Sequence, residues 1–186
     1  MEVRKEFILK IRPTCFENVK LIQNFLAYDN RGKFVKLFHE ETFLKFGLRV
    51  DFKENYYSVS QKNVIRGMHF QLPPYEHAKL VHVIHGSIWD VVVDLRKNSP
   101  TYKKHIKVFL TDKEPTSLYI PEGFAHGFKA LEDNTVTLYQ VTSAYQKDAD
   151  SGIAFDTIGF DWEVNNPIVS ERDCNFISLQ DFESPF

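Results

Sequence analysis

The sequence predicts an all-β sandwich or barrel, with helix confined to a few short peripheral pieces. Two observations carry that expectation. Short apolar or alternating segments recur along the chain with turn residues between them. Aromatic residues are abundant, with seventeen phenylalanines, eight tyrosines and two tryptophans among 186 residues, and they suit the half-buried faces of sheets better than a helical bundle.

Taken in order, Asn30-Arg31-Gly32 marks the first turn, and EETFLKFG (40–47) has the pattern of one or two helical turns closed by Gly47. VIRGMHFQLPP (64–74) is an apolar strand that stops at two prolines. IWDVVVDL (88–95), HIKVFLT (105–111), SLYIP (117–121), HGFKAL (126–131) and TVTLYQVT (135–142) follow as strands. Asn98-Ser99-Pro100, Pro121-Glu122-Gly123 and Asp133-Asn134 supply the turns. The closing FISLQDFESPF reads as a tail packed on the outside, and no repeat or linker divides residues 1–186, so one domain is expected.

A formal net charge of -2 and a pI near 6.4 give no basic footprint for nucleic acid. Cys15 and Cys174 lie far apart with no finger spacing, which points to free thiols rather than a disulfide or zinc site. The N-terminus MEVRKEFILKIRP has no long apolar region, and no window approaches the roughly 18 to 20 apolar residues of a bilayer span. A soluble cytoplasmic protein, not associated with membrane, is expected.

Several polar residues stand in apolar or turn surroundings: Arg66, His69, Gln71, Lys79, Asp90, His126, Tyr139, Tyr145 and Asp173. Strand alternation places Gly67, His69 and Gln71 on one face, and Arg66 joins them only if the strand bends or bulges near Gly67. Each has an ordinary explanation when taken singly: a satisfied core histidine, a solvent-facing lysine, a core tyrosine, a turn aspartate.

PEGFAHG (121–127) has the Pro-x-Gly-x-x-His pattern of the second motif of metal-binding cupins. A metal site of that type needs a closely spaced histidine pair and a carboxylate, and two residues beyond His69 stands Gln71. His82 and His85 fall on opposite strand faces and do not restore the pair, so no bound metal is expected.

IRGMHFQLPP, KLVHVIHGSIWDVVVDLRKNSPTY, LYIPEGFAHGF, LYQVTSAY and GFDWEVNNPIVSERD occur in that order over roughly residues 25 to 175. Together they resemble the dTDP-4-dehydrorhamnose 3,5-epimerase family and its nucleotide-sugar relatives. The resemblance implies a cupin-type jelly roll, a homodimer, and action without metal or other cofactor on a nucleotide-diphosphate sugar. It also implies roles. His69, backed by Asp173, removes the proton beside a 4-keto group, Lys79 stabilises the enolate oxygen, and Tyr139 returns a proton from the opposite face. Arg66, Gln71, Asp90 and His126 match further pocket positions, and Tyr145 an aromatic residue near the nucleotide.

The chemistry has its own physical logic. A C–H bond beside a ketone becomes acidic only when the charge gathering on the carbonyl oxygen is stabilised, which a preorganised ammonium in a dry pocket can do. Imidazole titrates near neutrality and can take the proton. Inversion requires reprotonation from the other face, and a phenol keeps its proton until a carbanion demands it.

The N-terminal part departs from the family. Where members commonly carry Asp-x-Arg-Gly-x-Phe-x-Glu, this chain has Asp29, Arg31, Gly32, Phe34 and Lys36, with Ala27 where an aromatic residue is usual. Glu54-Asn55-Tyr56-Tyr57 replaces the more usual Gln-x-Asn before Ser58. In the family the first of these regions reaches the neighbouring subunit's nucleotide, so the resemblance places Arg31 and Lys36 among the nucleotide contacts. A lysine there donates where a glutamate accepts. The reaction type is untouched, but dTDP, GDP and CDP sugars, hexose or heptose, inverted at C3 or at C3 and C5, all remain readings. A sugar-nucleotide-binding protein that has lost catalysis is the alternative of another class.

Overall fold

A computed structural model describes residues 9–186, so the N-terminal reading of residues 1–8 lies outside the described residues. Thirteen strands run β1 (10–13), β2 (20–23), β3 (25–29), β4 (32–36), β5 (54–60), β6 (65–71), β7 (79–85), β8 (87–94), β9 (105–111), β10 (116–120), β11 (124–130), β12 (135–141) and β13 (150–152). Two short α-helices, α1 (40–45) and α2 (171–174), are the helical pieces beside one 3-10 turn at 155–157. A six-stranded sheet in the order β1-β2-β10-β7-β12-β5 faces a five-stranded sheet in the order β13-β6-β11-β8-β9, and β3 and β4 form a separate hairpin. This is the cupin-type jelly roll, antiparallel throughout its named pairings.

Alternation sorts the side chains into three apolar layers. Between the sheets, Val81, Val83, Ile88, Val92, Leu110, Leu118, Ile120, Phe124 and Phe128 interdigitate and close one end of the sandwich. The odd residues Val91 and Val93 of β8 point the other way. They join Ile65, Met68 and Phe70 in a second core on the outer face of the five-stranded sheet. The C-terminal tail covers that core through Trp162, Leu179, Phe182 and Phe186, and it is tied by the Ser184 hydroxyl to the Leu95 carbonyl. The tail is therefore on the outside, as expected, and its Leu179 is 3% exposed.

A third core on the outer face of the six-stranded sheet packs Leu80, Tyr119 and Ile22 against Leu9, Phe43 and Leu48. Phe43 comes from α1, which Gly47 ends with its N–H on the Leu44 carbonyl and a φ of +69°. Beyond this cover the same outer face leaves Tyr57, Val59 and Ile84 exposed.

β6 is where strict alternation breaks. His69 pairs with His126 and Arg66 with Phe128, so three steps on β6 match two on β11. Gly67 is the extra residue. Its φ is +138°, and a Cβ there would lie 2.5 Å from the Gly127 Cα, so glycine alone fits the two strands' close approach. This bulge, which the sequence posed as the condition for Arg66 to join His69 and Gln71, brings all three to the cavity. Among the described residues no helix is long and apolar enough to cross a membrane.

Candidate active site

At the end of the sandwich left open by the inner core lies a cavity of about 400 Å³. Six of the residues singled out from the sequence line it together: Arg66, His69, Gln71, Lys79, His126 and Tyr139. Tyr145 lines its mouth with a mostly exposed side chain. Asp173 and Asp90 stand one layer behind, each carrying a histidine. Arg31 and Lys36 are on the β3–β4 hairpin and do not line this cavity; Arg31 pairs with Asp29 at 2.5 Å.

His69 projects from β6, and its Nε2 lies 2.8 Å from Asp173 Oδ1. The other carboxylate oxygen of Asp173 accepts the Gly67 N–H at 3.0 Å, an amide turned toward it at the bulge. Ser170 caps α2, its hydroxyl accepting the Asp173 N–H at 3.1 Å. Burial raises the Asp173 pKa, but the hydrogen bonds from His69, Gly67 and Ser170 outweigh it and leave the carboxyl below the usual range. An ionised carboxylate only accepts, so Nε2 carries the ring proton and Nδ1 is left as the lone-pair nitrogen. Burial holds His69 below the ordinary imidazole pKa against the pull of Asp173. The ring is therefore neutral at physiological pH, as a base must be.

Lys79 opens β7 from the opposite sheet and is 7% exposed. Its Nζ donates to the His69 carbonyl at 3.0 Å, which uses one of three donors and ties the two sheets across the cavity. Burial pushes its pKa down to about 8, with the Asp150 and Asp90 charges opposing. It is an ammonium at neutral pH and close to losing its proton.

Tyr139 of β12 is 7% exposed, and burial pushes its phenol well above the ordinary value. Its hydroxyl meets Ser58 Oγ at 3.3 Å, and its ring stacks on Tyr56 with centroids 5.0 Å apart and planes 25° from parallel. His126 approaches the same ring edge-on at 6.3 Å. His126 is 4% exposed and its Nε2 is 2.8 Å from Asp90 Oδ2, a second histidine–carboxylate pair one strand over from the first. Burial raises the Asp90 pKa against the pull of His126, and its Oδ1 is buried without a hydrogen-bond partner.

Gln71 lines the cavity, but its amide is spent on the protein. Oε1 accepts the Gln146 N–H at 2.7 Å, which fixes the amide orientation, and Nε2 then faces the Tyr75 and Ala144 carbonyls and His77 Nδ1 at 2.9, 3.2 and 3.2 Å. It clamps two wall segments at the pocket position that the resemblance implies. Arg66 is held by Ser60 Oγ and the Val59 carbonyl at 3.1 and 3.3 Å.

The sequence reading missed Arg172, Asp150 and His77 on the cavity wall, and had named Glu54 and Tyr56 only as departures from the family pattern. Arg172 pairs with Asp150 at 2.7 Å and lies over the Phe176 ring, which in turn meets His69 edge-on. Only the place of Arg172 beside Asp173 hinted at it. His77 carries a buried Nε2 without a hydrogen-bond partner, and burial, with Lys79 nearby, pushes its pKa down to about 3. Among the described residues no group of three or more His, Cys, Asp or Glu side chains could hold a metal ion, and Cys15 and Cys174 are free and exposed.

The arrangement offers a neutral histidine base with a fixed tautomer, an ammonium, and a high-pKa phenol around one open cavity. Comparison with known proteins identifies the family. The dTDP-4-dehydrorhamnose 3,5-epimerase family model matches residues 13–181. The chain is 42% identical to the dTDP-4-dehydrorhamnose 3,5-epimerase of Methanothermobacter thermautotrophicus, over 90% of this chain and 93% of that one. It superposes with a TM-score of 0.89 on the Bacillus anthracis enzyme of the same name with TDP and PPi bound, at 35% identity, covering 92% of this chain and 99% of that one. The score is also 0.89 against the dTDP-6-deoxy-D-glucose-3,5-epimerase of Legionella pneumophila in complex with dTDP-4-keto-L-rhamnose, at 29% identity and 95% of both chains. By sequence and by fold, this chain belongs to the dTDP-4-dehydrorhamnose 3,5-epimerase family.

Proposed function

We propose that this protein is a carbohydrate epimerase that inverts C3, C5 or both of a dTDP-linked 4-keto-6-deoxy sugar through an enolate. The observation that carries the reading is the His69–Asp173 pair facing Lys79 and Tyr139 across one cavity of about 400 Å³. His69 Nδ1 takes the proton from the carbon beside the ketone, and the C–H electron pair moves into the enolate. The Lys79 ammonium stabilises the oxygen that becomes negative. Asp173 steadies the imidazolium so formed. Tyr139 gives its proton to the carbon from the other face, and its phenolate is refilled from solvent.

The substrate's nucleotide follows the relatives, since the Bacillus protein was solved with TDP and the Legionella protein with a dTDP-linked 4-keto sugar. Glu54 and Tyr56, which depart from the family pattern, sit on the wall beside Tyr145, where the nucleotide is expected. The reading is tested by incubating the protein in deuterated water with dTDP-, GDP- and CDP-linked 4-keto sugars. Solvent deuterium at C3 or C5 of the dTDP sugar is the expected result, and its absence from every sugar would refute the assignment.

The same reading has residues 1–186 acting as one domain and pairing as a homodimer in the cytoplasm, with the β3–β4 hairpin serving the neighbouring site through Arg31 and Lys36. Exposed Tyr57, Val59 and Ile84 on the outer face of the six-stranded sheet, and Tyr28 and Phe34 on the hairpin, support an apolar surface for a second copy. Sedimentation at micromolar concentration should give twice the chain mass of 21.8 kDa, and a monomer would contradict the shared site.

A further inference from the structure

β5 is an edge strand of the six-stranded sheet, paired among the described residues with β12, and its cavity-facing side is rich in polar and aromatic groups. The alternate residues Glu54, Tyr56, Ser58 and Ser60 each touch a residue of the site, two of them Tyr139. Glu54 accepts the Tyr145 N–H at 3.0 Å, Ser58 meets the Tyr139 hydroxyl at 3.3 Å, and Ser60 accepts from Arg66 at 3.1 Å. Tyr56 is the direct cross-strand neighbour of Tyr139 and stacks on its ring at 5.0 Å.

Core packing does not account for Tyr56, which is 44% exposed and belongs to none of the three apolar layers. Its ring stacks on that of Tyr139. A 3.3 Å hydroxyl contact with Ser58 is long for an O–H···O bond and leaves the phenol's direction loosely set. The ring is instead caught between the Tyr56 face and the His126 edge. Offset stacking of this kind favours near-parallel ring planes and so bears on the tilt of the Tyr139 ring.

We propose that Tyr56 is a positioning residue for the proton donor, its ring fixing the tilt at which Tyr139 delivers its proton to the sugar carbon and thereby setting inversion against simple exchange. The inference rests on the epimerase reading above. Once His69 has taken the proton, the enolate carbon has two ways to regain one. Tyr139 can supply it from the far face, which forms the inverted C–H bond and leaves a phenolate. Alternatively, the imidazolium, having exchanged with solvent, returns a deuteron to the near face and regenerates labelled substrate of unchanged configuration. A tilted Tyr139 loses the first route and keeps the second, because proton transfer is steeply sensitive to misplacement.

The experiment uses the full chain in deuterated water with dTDP-4-keto-6-deoxyglucose, reading by NMR the ratio of inverted product to deuterated, uninverted sugar. Tyr56→Ala is expected to lower that ratio about tenfold, an effect well within what small misalignment does to a positioned catalytic group. Tyr56→Phe, which keeps the ring and removes the hydroxyl, is expected to restore the ratio. A ratio unchanged in Tyr56→Ala, exchange and inversion falling in equal proportion, or Tyr56→Phe behaving like alanine would each overturn the proposal. Wild-type protein that neither exchanges nor inverts would instead remove the epimerase reading itself.

Discussion

His69 and Tyr139 face one cavity from opposite sheets, and the protein holds them by different means. On the five-stranded sheet, the base is fixed by a chain of short hydrogen bonds running from His69 through Asp173 to the Gly67 amide at the bulge, all between 2.8 and 3.0 Å. On the six-stranded sheet, the phenol is fixed by a ring stack and one 3.3 Å hydroxyl contact. The difference follows from what each group has to do. A base must keep one tautomer and tolerate a positive charge as it forms, which a buried carboxylate provides. A donor to carbon must keep its proton until late, which a dry aromatic setting provides by raising its pKa.

Removing the base should cost most. His69→Asn is expected to lower both exchange and inversion by roughly a thousandfold or more, since it removes the nitrogen assigned to take the proton. Steady-state turnover together with deuterium uptake checks it, and near-normal exchange would show that abstraction occurs elsewhere. Lys79→Met follows, with kcat/KM reduced about a hundredfold or more through loss of charge at the enolate oxygen. Because Lys79 serves both walls, exchange and inversion should fall together in that variant. A fall in inversion alone would place Lys79 with the donor.

The pH profile sharpens the same contrast. His69 titrates below the ordinary imidazole value, so kcat/KM is lost as pH falls through that lowered pKa and the base becomes protonated. Lys79 titrates at about 8, so activity is also lost as pH rises through that value and the ammonium becomes neutral. Lys79→Arg should move the alkaline limb upward, since a guanidinium stays charged. An alkaline limb unmoved in Lys79→Arg would assign it to another group. The smallest effect is expected from Ser58→Ala, a few-fold loss of inversion with exchange intact, in keeping with its long contact to Tyr139.

Much of the five-stranded wall was legible in the sequence, and less of the six-stranded one. Strands β8 to β12 stand out as apolar or alternating runs bounded by turn residues, several of them buried on both faces. The assigned strand ends differ from those read from sequence by two residues or fewer. The bulge near Gly67 could be posed as a condition for Arg66 but not decided, because a register shift depends on the partner strand. β5 was not read as a strand. Its exposed outer residues Tyr57 and Val59 erase the apolar-in, polar-out contrast, and it is an edge strand. Asp150 and Arg172 reach the cavity from β13 and α2, and nothing local distinguishes an arginine that turns inward from one that faces water.

The division of labour between the two walls is tested most directly by Tyr139→Phe in deuterated water. The expected result is solvent deuterium entering the uninverted 4-keto sugar at a rate comparable to wild type, while inverted product falls about a hundredfold. Inversion persisting at the wild-type rate, or exchange disappearing along with it, would contradict the assignment of abstraction to His69 and reprotonation to Tyr139.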